Sequence, residues 1–165
     1  MNSSALKNKS FLLCALIALC VFLVDQALKL GLIYGFSFSE GDSVPVTSFF
    51  DLVMVHNKGI SYGLFQQHHA FGQWILIGFS CGMVYFLPRI VHYEKSMLRL
   101  VATGLILGGA LGNVFDRVFW GYVVDFIYLH IGSLGWYVFN GADVAIVAGV
   151  LGIVYDKYPV EKSDQ

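Results

Sequence analysis

Asp25, Asn113, Asp116, Asp125, Asn140 and Asp143 stand near the ends of long apolar segments, where ionisable and amide side chains are scarce. Ionisable groups at membrane depth are costly and by default mark a functional site. Two carboxylates facing each other in a dry site cannot both ionise comfortably, so they share a proton. The ionised partner can then take a proton from water, while the protonated one donates to a carbonyl or a leaving amine. That is aspartyl-protease chemistry, and it needs neither a metal nor a nucleophilic serine. Ser61, Ser80 and the histidines show no catalytic spacing. Cys14, Cys20 and Cys81 all lie inside apolar runs, with no disulfide framework or metal spacing. They read as packing residues, because a free cysteine behaves as a small hydrophobe. No metal or cofactor is expected.

These groups must be positioned by elements that a bilayer accepts. The chain of 165 residues is 57% hydrophobic and only 13% charged, about half the charged fraction of a soluble domain. Its formal net charge of -1 gives no bias towards nucleic acid. A spanning helix needs roughly 20 mostly apolar residues, and four segments qualify: about 11–33, 70–90, 98–119 and 142–158. The first is longer than the apolar core of a cleaved leader and has no A-x-A-like exit, so it reads as a retained helix. Leu13 and Leu19 precede Cys14 and Cys20, where lipobox processing wants a small residue. The spacing predicts an all-α membrane protein with a small β element. The connection 34–69 holds Gly41, Pro45 and the run Leu52-Val53-Met54-Val55, and the connection 120–141 holds Val123 to Ile127. Both read as short strands, forming a small sheet that rests on the membrane surface. Trp120, Trp136 and Tyr137 suit an interfacial aromatic belt.

Of the ten lysines and arginines, seven (Lys7, Lys9, Arg89, Lys95, Arg99, Lys157 and Lys162) fall on one side of these spans. That side is expected to be cytoplasmic. Both termini are then cytoplasmic, and both β-rich connections lie outside. At a helical rise of about 1.5 Å per residue, Asp25 sits roughly 21 Å from Phe11, and Asn113 and Asp116 sit roughly 22 and 27 Å from Leu98. Asn140 and Asp143 open the fourth span from the same side, and Asp125 lies in the connection between. Distant positions thus share one layer.

Structural explanations stand beside the functional one. Asp25 and Lys29 are an i, i+4 pair that meets on one helix face, so they read equally as an interfacial salt bridge. Asn113, Asp116 and Arg117 share a face, and a carboxylate beside an arginine is held ionised, which suits an anchor. Asn140 and Asp143 fit a helix N-cap with an acid three residues on. Asp125 has no such local excuse. Set between Val124 and Phe126, with no basic neighbour in sequence, it must find a partner or change its pKa. His68-His69 reads as a solvated turn, and His56, near the outer surface, is a candidate for substrate contact. Gly108-Gly109 with Gly112 permits close helix packing.

At these residues the chain resembles lipoprotein signal peptidase, also called signal peptidase II, over nearly its whole length. The carriers are Asp25-Gln26 with Lys29, then Asn57-Lys58-Gly59 running through Gly63 and Phe65, then Gly108-Gly109-Ala110-Leu111-Gly112-Asn113 with Asp116-Arg117. Val123-Val124-Asp125-Phe126 and Phe139-Asn140-Gly141-Ala142-Asp143 complete the set. Ile60-Ser61 departs mildly from the alanine-like residues common after that glycine.

The resemblance implies one integral membrane peptidase domain over 1–165. It implies a bacterial inner-membrane enzyme that cleaves diacylglyceryl-modified prolipoproteins just before the lipidated cysteine. Asp125 and Asp143 would be the catalytic pair. Asn57, Gly59, Asn113, Arg117 and Asn140 would orient substrate and pair, Asp25 with Lys29 would support the site, and Asp116 would brace Arg117. Expected partners are the prolipoprotein, membrane lipids and a globomycin-type cyclic peptide inhibitor, with no nucleic acid; a monomer is the default expectation, and the sequence does not fix the oligomeric state. The connection 34–69 could close over the site as lids do. Two other classes compete. Paired intramembrane acids also serve proton-coupled transporters, although these acids cluster at one interface and no inverted repeat is visible. A non-catalytic adaptor would use the acids only to cap and brace helices.

Overall fold

Apolar runs too long for strands fold as helices, and four of them do so in the computed structural model. It describes residues 3–59, 69–91, 96–132 and 134–157, with side chains from residue 9 in the first segment and over 73–87 in the second. Helix α1 covers Ser3–Leu30 and continues as a wider π-type turn over Gly31–Gly35. Helix α2 covers His69–Val91, α3 Met97–Phe119 and α4 Gly141–Lys157. The helices occupy the expected segments, although α1 starts earlier than anticipated and Tyr158 lies outside the described residues. By length and composition alone, Lys9–Gly35 and Met97–Phe119 are able to cross a bilayer, whereas the apolar part of α2, Gln73–Leu87, is shorter. The 17 residues of α4 fall short of the roughly 20 that a full span needs.

Helix α3 is central and packs against each of the other three. Small residues make this possible. A Cβ on Gly108 would lie 2.5 Å from the Ala18 carbonyl oxygen of α1, and one on Gly149 of α4 would lie 2.5 Å from the Ala102 carbonyl of α3. Such approaches are how helices associate where lipid removes the hydrophobic drive between them. The outward faces are apolar: Leu19 and Leu23 on α1, Phe79 and Phe86 on α2, and Val147 and Leu151 on α4 are all exposed. Apolar surface of this extent is foreign to a soluble monomer.

The two connections join in one antiparallel sheet of order β1-β2-β3-β4, built from β1 (Ser43–Pro45), β2 (Phe50–Asn57), β3 (Val123–Ile131) and β4 (Leu134–Gly135). Leu52 pairs with Ile127 and Val55 with Asp125, so β2 carries one extra residue in a bulge. That residue step turns Met54 inward, where it packs with Leu32, Val124 and Phe126. Past the bulge, Val55, His56 and Asn57 face Asp125, Val124 and Val123. The chain returns to β3 at Phe139. Its carbonyl accepts the N–H groups of Phe126 (3.0 Å) and Ile127 (2.8 Å), and its own N–H donates to Ile127. The start of α4 is thereby held beside Asp125.

Candidate active site

Asp125 lies on β3 and is only 2% exposed. Its two oxygens accept from two carboxamides: Oδ2 from Asn57 Nδ2 at 2.8 Å and Oδ1 from Asn140 Nδ2 at 2.7 Å. Asn57 reaches it as a diagonal cross-strand neighbour. Its own oxygen accepts the Gly59 N–H at 3.1 Å, which fixes the amide with its NH2 towards the acid.

Asn140 is fully buried and caps α4. Its Oδ1 accepts the Asp143 N–H (3.0 Å), and Asp143 Oδ2 accepts the Asn140 N–H (3.2 Å). This reciprocal pair is the capping-box arrangement with an aspartate in the acidic role. Asn140 Nδ2 also donates to Asn113 Oδ1 at 3.1 Å, and Asn113 Nδ2 donates to Asp143 Oδ1 at 2.8 Å. The helix-cap reading and the active-site reading of Asn140 and Asp143 therefore describe the same bonds. A single carboxamide links Asp125 to the helix turn that carries Asp143.

Burial pushes the Asp125 carboxyl up to about 7; the neighbouring Asp143 charge adds to this, while the Asn57 and Asn140 amides and the more distant Lys29 oppose it. Asp143 is half-buried. Both acids line one cleft of about 650 Å³, together with Asn57, Gly59 and Arg117. Its remaining walls are apolar, formed by Leu76, Trp136, Phe139 and the Val144, Val147 and Leu151 face of α4.

Behind this layer lies an ion triad. Lys29 Nζ is 2.7 Å from Asp25 Oδ2 and 2.7 Å from Asp116 Oδ2, with all three side chains nearly inaccessible to solvent. Gln26 Nε2 donates to Asp116 Oδ1 at 2.8 Å. Each acid also holds one backbone group: Asp25 Oδ1 accepts the Ala142 N–H (2.9 Å) and Asp116 Oδ2 accepts the Val124 N–H (3.2 Å). Those residues immediately precede Asp143 and Asp125. The expectation that Asp116 braces Arg117 is corrected here. Consecutive residues on a helix do not face each other; Asp116 turns inward to Lys29, and Arg117 Nη1 donates to the Asn113 carbonyl (3.2 Å) beside the cleft.

All ten residues singled out from sequence thus lie in the cleft or directly behind it. His56 does not line the cleft; it stacks on Tyr122 with ring centroids 3.9 Å apart and sets Nδ1 3.1 Å from Glu40 Oε2. Ser61, Gly63, Phe65 and His68 lie outside the described residues. Sequence reasoning gave no role to Gln26, whose i, i+3 spacing to Lys29 was the available signal, or to the N–H groups of Ala142 and Val124. It also overlooked Gln73 of α2, whose Nε2 donates to the carbonyls of Lys58 and Gly121 and so ties the connection after α1 to the connection after α3.

Comparison with known proteins agrees with this geometry. The family model described as signal peptidase (SPase) II matches residues 17–158. The chain is 48% identical over 142 residues to the lipoprotein signal peptidase of Methylorubrum extorquens (strain PA1), covering 86% of this chain and 83% of that one. It is 46% identical over 149 residues to the lipoprotein signal peptidase of Rhodopseudomonas palustris (strain TIE-1), covering 88% and 89%. A solved bacterial membrane enzyme obtained by the in meso method superposes with a TM-score of 0.73 at 28% identity, over 92% of this chain and 94% of that one. The apolar outer faces of the helices and this likeness make the protein a membrane protein, and the family match makes it a peptidase rather than a transporter or an adaptor. With residues 17–158 matched by the family model, the chain belongs to the signal peptidase II family.

Proposed function

We propose that this enzyme removes the signal peptide from diacylglyceryl-modified prolipoproteins by cutting just before the lipidated cysteine, with Asp125 and Asp143 as an aspartyl catalytic pair. The observation that carries the proposal is the bonding of Asn140. Its side chain holds Asp125 and its cap holds Asp143, so two carboxylates from distant parts of the chain line one cleft. Asp143, the more open of the two, takes a proton from a water molecule. The oxygen of that water attacks the scissile carbonyl carbon while Asp125 gives its proton to the carbonyl oxygen. In the collapse of the resulting diol, Asp143 passes its proton to the leaving nitrogen, the C–N bond breaks, and Asp125 recovers a proton from a diol hydroxyl. The elevated Asp125 carboxyl suits the donor role. Arg117, whose Nε has no hydrogen-bond partner among the described residues, and Asn57 orient the substrate backbone. Asn113 and Asn140 orient the pair, and Asp25, Lys29 and Asp116 hold the backbone beneath it.

In this reading the whole chain, 1–165, is one domain with four spans and both termini in the cytoplasm of a bacterium. The connections 34–69 and 120–141 face outward from the inner membrane, as the distribution of basic residues supports. The apolar cleft wall on α4 suits a substrate that arrives through the lipid, and a globomycin-type peptide would compete for the same cleft. The test is cleavage of a diacylglyceryl-modified prolipoprotein by the purified protein in detergent or bilayer. Asp125→Asn and Asp143→Asn are each expected to abolish cleavage while keeping the thermal midpoint. Folded variants that cleave at the wild-type rate refute the dyad, and a wild-type protein that never cleaves refutes the substrate assignment.

A further inference from the structure

The hairpin of β3 and β4 carries an apolar surface that the catalytic pair does not use. His130 pairs with Gly135 and Ile131 with Leu134, and the turn passes through Gly132 at φ +60°. Ile131 is 82% exposed, Leu134 79% and Trp136 73%. Residues 131–139 contain no charged side chain. Phe49, Leu129, Ile131, Leu134 and Trp136 line a groove of about 720 Å³. Among the described residues, the one ionisable side chain lining it is His130, whose Nε2 lies 3.2 Å from Asp51 Oδ1.

The position of this surface says what covers it. Trp136 and Phe139 line both the groove and the catalytic cleft, whose far wall is the exposed Val144, Val147 and Leu151 face of α4. Apolar lining therefore extends from the α4 side of the cleft, which also holds the polar groups of the site, through Trp136 and Phe139 to the hairpin groove. Tryptophan and tyrosine at that junction are the side chains that settle at headgroup level. The depth is limited, because backbone groups left unpaired at a turn cannot enter hydrocarbon unsatisfied. From this continuity we propose that the exposed hairpin side chains Ile131, Leu134 and Trp136 dip into the outer leaflet just below the headgroups, with lipid acyl chains filling the groove. Since Asp125 lies on the same strand as Ile131, such an anchor holds the dyad at the depth where a lipid-bearing cysteine presents its cleavage point. The inference rests on the membrane placement proposed above.

The test uses three single-tryptophan proteins that retain Trp74, Trp120 or Trp136, the other two being changed to phenylalanine. Each is reconstituted in phosphatidylcholine bilayers whose acyl chains are brominated either near the headgroup or near the chain end. Trp136 is expected to lose most of its fluorescence with bromine near the headgroup and less with bromine near the chain end. The pair Ile131→Asp and Leu134→Asp should abolish the quenching of Trp136 but spare that of Trp74 on α2. If Trp136 stays unquenched by either lipid while Trp74 is quenched, the hairpin insertion is wrong and the membrane placement stands. If neither is quenched, the placement fails and the inference with it. Quenching of Trp136 that survives the double aspartate substitution also overturns the proposal.

Discussion

Asp125 is held by opposing influences, and that balance is open to measurement. Burial favours its neutral form, while the N–H groups of Asn57 and Asn140 favour the ionised one. With a folded pKa of about 7, above the ordinary carboxylate value of about 3.9, Asp125 binds a proton in the fold that the unfolded chain releases. Its contribution to stability is therefore full below about pH 4 and is lost as the pH rises through about 7. The same proton is the one proposed to reach the substrate carbonyl, so kcat/KM should decline above an apparent pKa near 7. Asn57→Ala removes a bond that stabilises the ionised form and should move this alkaline limb to higher pH. It should also lower kcat by a factor on the order of 10², the scale of a small misplacement at the reacting centre. A pH–rate profile for the two proteins checks both; a limb that stays in place means the titrating group is not Asp125. The importance of Asp125 was legible in the sequence because nothing near it in the chain could neutralise it. Its two amide partners were not, since the Asn57 contact depends on strand register.

Four elements meet around Lys29, where α1 touches α3 and reaches beneath the start of α4 and the start of β3. The sequence exposed half of this joint: i, i+4 spacing paired Lys29 with Asp25. The other half, Lys29 with Asp116, depends on α1 and α3 packing through Gly108, and helix spacing within one element cannot report a contact between two. The sheet shows the same limit, because alternation announced the strands Leu52–Val55 and Val123–Ile127 but not the bulge that shifts one against the other. Removing one member of a buried ion group leaves an uncompensated charge and costs about 3–5 kcal/mol. Lys29→Met should therefore destabilise the protein by that amount, measured by denaturant unfolding in mild detergent. Replacing the whole triad with Asp25→Leu, Lys29→Met and Asp116→Leu should recover much of this stability, because apolar residues often replace a buried ion group without loss. It should not recover kcat, because the N–H groups before Asp143 and Asp125 lose the acceptors that hold them. A triad replacement that regains both would show that the ions serve stability alone.

Across the whole molecule, α3 and α4 are fastened at both ends. At one end Asn113 bonds Asp143 and Asn140. At the other, the Ser96 hydroxyl bonds Asp156, and Arg99 Nη2 lies 2.5 Å from Asp156 Oδ2. The two fastenings are roughly 26 Å apart along α3 at a rise of about 1.5 Å per residue. Between them, Gly109 and Gly149 keep the two backbones in contact, so the pair behaves as a stiff frame. The far clasp is partly open to solvent and is screened by salt, which makes it a stability element separated from the chemistry. Asp156→Asn should lower the thermal midpoint at low ionic strength, and the difference from wild type should shrink as salt is added. Cleavage kcat and KM should be unchanged below the melting temperature, whereas Asn113→Ala, at the other end of the same helix pair, should depress kcat. A loss of kcat in Asp156→Asn with an unaltered midpoint would mean that the frame transmits motion from the clasp to the dyad.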